Sequence, residues 1–201
     1  MLFITELIPA GIMAFFAASL LTVIFHRKDF RTDGMRVFRL FVVRFLGLWY
    51  AFAAIALLFK VRILLLMGPI KNFNPFEGIN LIPFETITKF IGKRNKFQWI
   101  QIWGNLFLLF PLPILLRLNF PKMKNRNFLL ILIGVTVLIE PAQLLTNIIT
   151  RVPVNVIDID DFLLNAPGCM LGFLAAKLIE RWFLAKKRGA AKTTCAAASN
   201  R

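Results

Sequence analysis

Apolar residues run in long blocks along this chain, not in the short alternation of a half-buried strand. Five blocks come near the roughly 20 residues that a helix needs to cross a bilayer core of about 30 Å. The first, LIPAGIMAFFAASLLTVIF at 7–25, carries no charge. It has neither a basic leading region nor a small-residue cleavage pattern, so it reads as a retained helix and not a signal peptide. The second, 41–59, has Arg44 close enough to its start to snorkel. In the third, 97–116, Pro111 and Pro113 predict a kink. The fourth, 128–149, holds Glu140 as its one charge, and the fifth, 161–184, is interrupted by Lys177.

The expected fold is therefore an all-α integral membrane protein, a bundle of about five transmembrane helices. The long loop between the second and third spans contains NPFEGINLIPFETI, with Pro-Phe-Glu at Pro75–Glu77 and again at Pro83–Glu85. Alternating Pro and Phe between two spans predict an interfacial segment with its rings in lipid. Residues 60–70 either extend the second helix or lie in the interface. Three regions follow: 1–40 with the first helix and a basic loop, 41–184 as the transmembrane core, and 185–201 as a disordered basic tail.

Polar residues inside spans are costly in lipid and turn towards the bundle interior, so their spacing is informative. Gln98, Gln101 and Asn105 share one face of the third helix, while Glu140, Gln143, Asn147 and Arg151 share one face of the fourth. On the fifth, Asp158 and Asp161 lead to Asn165, and Gly168 and Gly172 continue that face at the small-xxx-small spacing that lets helix backbones approach. Three of the ten acids in the chain, Asp158, Asp160 and Asp161, stand at the entrance to this last span. Pro141 removes a backbone donor next to Glu140 and favours local opening of the helix.

Composition sharpens the class. The chain is 58% hydrophobic with 22 Phe and only 17% charged, and its mean hydropathy is +0.71. The net charge of +15 would suit nucleic acid if it formed a patch, but the Lys and Arg lie between and after apolar runs. That is the distribution that holds a membrane protein's basic loops in the cytoplasm. Six fall in 26–44, four in 117–126 and seven from Lys177 onward, against one in 150–160. Loop 60–96 has seven, spread over a long stretch with less influence on orientation. The expected topology puts the N-terminus outside and the C-terminus in the cytoplasm of a bacterial cell membrane. All three polar stripes then fall in the outer half of the bilayer and line an outward-facing polar pocket.

The chemistry available is restricted. The single histidine, His26, lies in a cytoplasmic loop, which removes His-dependent proteolysis, HExxH zinc chemistry and His-dependent lipid phosphatases at the outer face. Cys169 and Cys195 lack CxxC spacing, and no P-loop or GxGxxG is present. No cofactor is expected; DIDD at 158–161 weakly resembles acidic motifs that hold Mg²⁺ on a diphosphate. Asp158 or Asp161 taken alone reads as a helix-dipole partner. Glu140 must be protonated, paired or wetted, which points to a functional or network role.

These stretches resemble the VanZ-like family of bacterial membrane proteins. INLIPFETI at 79–87, GNLFLLFPLPILL at 104–116, IEPAQLL at 139–145 and DIDDFLLNAPGCMLGFL at 158–174 occur in the family's order. Pro113 stands where the family usually shows Gly, and Ala166–Pro167 follow Asn165 in place of a small or hydroxyl residue and Gly. The name-giving member is associated with resistance to the glycopeptide teicoplanin. The resemblance implies a cell-envelope function, with Gln101, Asn105, Glu140, Gln143, Asn147, Arg151, Asp158, Asp161 and Asn165 lining a pocket for a lipid-linked cell-wall precursor or a glycopeptide. Two alternatives stand beside this non-catalytic reading: a membrane-embedded Mg²⁺-dependent enzyme acting on a lipid phosphate or diphosphate, and a small transporter or scaffold. Oligomeric state is open.

Overall fold

The computed structural model describes residues 11–22, 34–60, 66–92 and 96–199. Seven helices follow in order among them: α1 (Gly11–Thr22), α2 (Gly34–Leu58), α3 (Glu85–Gly92), α4 (Lys96–Leu108), α5 (Pro111–Asn119), α6 (Asn125–Thr150) and α7 (Ile159–Ser199). Four stretches are long and apolar enough to cross a membrane: Leu40–Leu58, Trp99–Asn119, Asn125–Thr150 and Ile159–Lys186. Among the described residues the molecule is thus all-helical with four candidate spans, which are the second to fifth of the five expected. The described part of the first expected span is α1, shorter than a bilayer crossing, and 7–10 and 23–25 lie outside the described residues.

The kink expected at Pro111 and Pro113 is a full break. Residues 109 and 110 leave the helix between α4 and α5, and Phe110 and Leu112 fall back on i−3 carbonyls at 3.3 Å each. Proline has no N–H to continue the ladder, so carbonyls around the break need other partners. The Tyr50 hydroxyl of α2 supplies one, donating to Leu108 O at 2.7 Å. α7 approaches two more closely: an added Cβ at Gly168 would collide with Leu106 O and one at Gly172 with Phe110 O. The GCMLG spacing therefore has a definite job, since only a residue without Cβ lets α7 lie against the exposed backbone of the break.

Gly47 plays the same part between α2 and α5, making room for Asn119, whose amide donates to Val43 O at 3.2 Å. α1 is tied to α2 by the Trp49 indole, which donates to Gly11 O at 3.0 Å. On α6 the buried positions Phe128, Leu132, Thr136, Ile139, Gln143 and Asn147 recur every three or four residues. Leu109, Cys169 and Ala176 meet them in the core. The many exposed Phe, Leu and Ile side chains on the outer faces suit lipid.

Two expectations meet a different outcome. α6 passes through Pro141 without interruption; the missing N–H costs one ladder bond and does not open the helix. α7 continues to Ser199, so the segment expected to be disordered is helical as far as described. Its Ala and Lys are strong helix formers, and the preceding span supplies a ready-made first turn.

Candidate functional site

The loop from α6 to α7 begins at Arg151, whose left-handed backbone (φ 54°) ends α6. Val152 and Val154 turn inward, and the chain then pairs with the Pro-Phe-rich segment. Asn80 N donates to Ile157 O at 2.9 Å and Ile159 N donates to Asn80 O at 3.0 Å, a one-residue parallel bridge. Side chains extend it. Asp158 Oδ1 accepts from Asn80 Nδ2 at 3.1 Å and from Asp160 N at 3.0 Å, while its Oδ2 accepts from the Thr86 hydroxyl at 2.5 Å.

Asp160 reaches further. Its Oδ1 accepts from Phe84 N at 2.5 Å, and its Oδ2 from Thr86 N at 2.9 Å and Ile87 N at 3.0 Å. These are the free N–H groups at the start of α3, so a carboxylate 74 residues distant from Thr86 serves as that helix's N-terminal cap. Phe84 adopts a left-handed φ of 65° at this junction. Asp160 is 1% exposed, and three backbone donors satisfy it.

Asp161, one residue on, is rotated about 100° around the helix and faces the bundle. It accepts from the Asn105 amide of α4, so two of the predicted stripes do meet. Glu140 of α6 comes up from the other side. Its Oε2 accepts from Asp158 N at 3.3 Å, and the charges of Asp161 and Asp158 act on it. Lys60, just beyond α2, donates to Val154 O at 2.7 Å and acts electrostatically on Asp161. Carboxylates from α6 and α7, an amide from α4 and a lysine from the turn after α2 thus converge on one end of the bundle.

The remaining predicted residues divide. Gln143 turns to α2 and donates to Leu58 O at 2.6 Å, closing the C-terminus of that helix. Asn147 exchanges two bonds with the Asn155 backbone, donating at 2.6 Å and accepting at 3.2 Å, which holds the loop against α6. Asn165 is buried one turn below Asp161. Gln101 is exposed on α4, and the Gln98 side chain lies outside the described residues. Arg151 is exposed and stands past the end of α6, so the helical face does not extend to it; its carbonyl accepts from Ile70 N at 3.0 Å.

Several buried polar atoms at this end have no hydrogen-bond partner among the described residues: Gln143 Oε1, Asn165 Oδ1, and both side-chain heteroatoms of Asn155. Three of these four are acceptors. With Glu140 and Asp161 the region is rich in acceptors, and its side-chain donors are Lys60 and the amides of Asn105, Gln143, Asn147, Asn155 and Asn165. The Thr86 hydroxyl donates to Asp158 and accepts from Asn80, which ties it into the contact between the two segments. Among the described residues no three Asp, Glu, His or Cys side chains group in a way that would hold a metal ion.

Lys60, Asn80, Thr86 and Asp160 are absent from the sequence-derived site. Asn80 and Thr86 sit in NLIPFET, and Asp160 in DIDD, both prominent motifs. What the sequence lacks is any sign that the two motifs touch across more than 70 residues. Lys60 ends an apolar run, where a basic residue reads simply as a flank.

Four candidate spans among the described residues, one of them broken at residues 109 and 110, define a polytopic membrane protein. The VanZ/LLP1 family model matches residues 42–180, most of the chain, and the chain belongs to that family. The matched stretch includes all four candidate spans except the extremities of the first and last, and every residue of the acidic end. Neither the curated proteins nor the solved structures give a match.

Proposed function

We propose that this VanZ/LLP1-family protein binds an envelope-associated ligand at the Glu140–Asp161 end of the bundle, without catalysing a reaction on it. The observation that carries the reading is the convergence of those two carboxylates from different helices beside buried acceptors that have no partner among the described residues. Leaving buried acceptors unpaired is costly, and a ligand rich in N–H or O–H groups would satisfy them. Amides, hydroxyls and amines of a lipid-linked cell-wall precursor or a glycopeptide have that character. A bare phosphate or diphosphate does not, because it would face two carboxylates across one lysine.

In the proposed orientation this end faces the cell exterior. Loops 117–126 and the stretch after Lys177 are strongly basic and lie at the other end, as expected for the cytoplasmic side. The exposed apolar residues Phe76, Leu81, Ile82 and Phe84 then lie at the outer membrane–water boundary, as an interfacial segment. A scaffold role through the small-residue face of α7 has less support, since Gly168 and Gly172 are occupied by α4 and α5 of the same chain.

The test is teicoplanin susceptibility in a sensitive Gram-positive host expressing wild type, Glu140→Gln or Asp161→Asn at matched membrane abundance. Protection by wild type that both variants lose is the expected result. Protection retained in full by both variants would remove the acidic end from the function. Failure of wild type to protect would separate this chain from glycopeptide susceptibility.

A further inference from the structure

The opposite end of the bundle carries a second constellation, built around Arg117 on the last turn of α5. Its Nη1 donates to Met123 O at 2.8 Å, its Nη2 to Asn125 Oδ1, and its guanidinium lies 4.8 Å above the Phe128 ring. Arg117 is only 8% exposed. Its counter-charge is Glu180 of α7, at 3.4 Å. Lys177 pairs with the same carboxylate at 3.1 Å and donates to Asn125 Oδ1 at 2.9 Å.

Among the described residues two cations therefore share one anion, and Arg117 Nε is buried with no acceptor. Excess charge at a half-buried position is unfavourable until an opposite charge meets it. Lys177 keeps 27% of its side chain exposed, so an incoming anion can reach the network. Next to it a cleft of about 280 Å³ runs between α5 and α7, with Arg117 and Glu180 on a wall otherwise made of apolar residues such as Ile114, Leu118, Ile179 and Phe183. Exposed Lys122, Lys124 and Arg181 surround this end.

We infer that the cleft is a binding site for one anionic phospholipid. Its acyl chain lies along the Ile114–Phe183 wall, and its phosphate neutralises the surplus charge of the Arg117–Lys177–Glu180 group. Apolar wall and cationic head stand in the order that a phospholipid presents them, and basic pockets between membrane helices recognise anionic headgroups in this way. Phosphate oxygens are also strong acceptors for Lys and Arg. The site is at the far end from Glu140 and Asp161 and does not depend on their role.

The test uses the full chain purified in detergent, with phosphatidylglycerol, phosphatidylcholine of the same acyl chains, or inorganic phosphate added. Native mass spectrometry counts retained lipid, and thermal melting reads stabilisation. One retained phosphatidylglycerol per chain and a raised Tm are expected, with neither effect from phosphatidylcholine or phosphate. Lys177→Gln is expected to weaken phosphatidylglycerol retention about fivefold, the equivalent of roughly 1 kcal/mol for one basic residue. Leu118→Trp, on the exposed wall, fills the cleft and lowers retention while leaving the lipid-free Tm in place. Should Lys177→Gln lower the lipid-free Tm, Leu118→Trp alone decides. Equal effects of the two lipids, an equal effect of phosphate alone, or unchanged retention in Leu118→Trp would overturn the assignment.

Discussion

Asp160 and Asp161 are neighbours in the chain but belong to two different regions. Asp160 closes the α3 junction: both of its oxygens face backbone donors, and it is out of reach of solvent. Asp161 has one amide partner and another acid across from it. The first region is satisfied on every side, so its acids hold two distant segments together and have no capacity left for a ligand. In the second, buried acceptors have no partner among the described residues. A cluster of acids is therefore not one functional unit, and satisfaction of hydrogen bonds separates the structural members from those that remain available.

The largest expected effect tests the satisfied region. Asp160→Asn turns an amide NH₂ towards backbone N–H groups that themselves need an acceptor, because three donors use both carboxylate oxygens. Loss of a charged acceptor and an unsatisfied buried donor should together cost on the order of 3 kcal/mol. Thermal melting in detergent, compared with wild type, measures it; a Tm within experimental error of wild type would break the distinction between the two regions. Gly168→Ala should follow, at about 1–3 kcal/mol, because its Cβ meets the Leu106 carbonyl, which is backbone and cannot swing away. The same melting assay applies, and Gly134→Ala, with nothing near its Cβ, is the control expected to change little.

Asp158→Asn should be milder than Asp160→Asn. Its partner at Oδ2 is the Thr86 hydroxyl, which can rotate and accept from the new amide, while Oδ1 continues to accept from Asn80 and Asp160 N. A cost of about 1 kcal/mol, one charge-assisted bond exchanged for a neutral one, is expected. Thr86→Val removes that compensation, so the double variant Asp158→Asn/Thr86→Val should be worse than the sum of the singles. A double-mutant cycle by chemical or thermal unfolding reads the coupling.

The residues also show what a sequence reveals. Spans were legible because twenty apolar residues in a row have few other uses, and the Asp161–Asn105 contact was legible because both lie on polar faces of helices. The stripe on α6 was half legible. Gln143 and Asn147 are buried as the spacing predicts, but they answer backbone groups at Leu58 and Asn155. Those partners are main-chain atoms at a helix end and in a loop, present in any sequence and marked by none. The same holds for Asp160, whose three donors are peptide N–H groups placed by the turn at Phe84. Arg151 failed for a local reason, the left-handed residue that ended the helix before the periodicity reached it.

The smallest expected effect on stability separates the regions most sharply. Asp161→Asn leaves an amide opposite the Asn105 amide, and one of the two can turn its oxygen towards the other's NH₂, so the single bond survives. Glu140→Gln keeps an oxygen for Asp158 N. Each substitution also removes a charge that stands near other carboxylates, which offsets the weaker hydrogen bond. Melting temperatures should therefore stay close to wild type, with a change of about 1 kcal/mol or less in either direction. A loss comparable to Asp160→Asn would mean that Asp161 is as structural as its neighbour. Near-wild-type stability together with lost protection in the susceptibility assay would place the function in the unsatisfied region, because the fold would then be intact and only the acceptor chemistry changed.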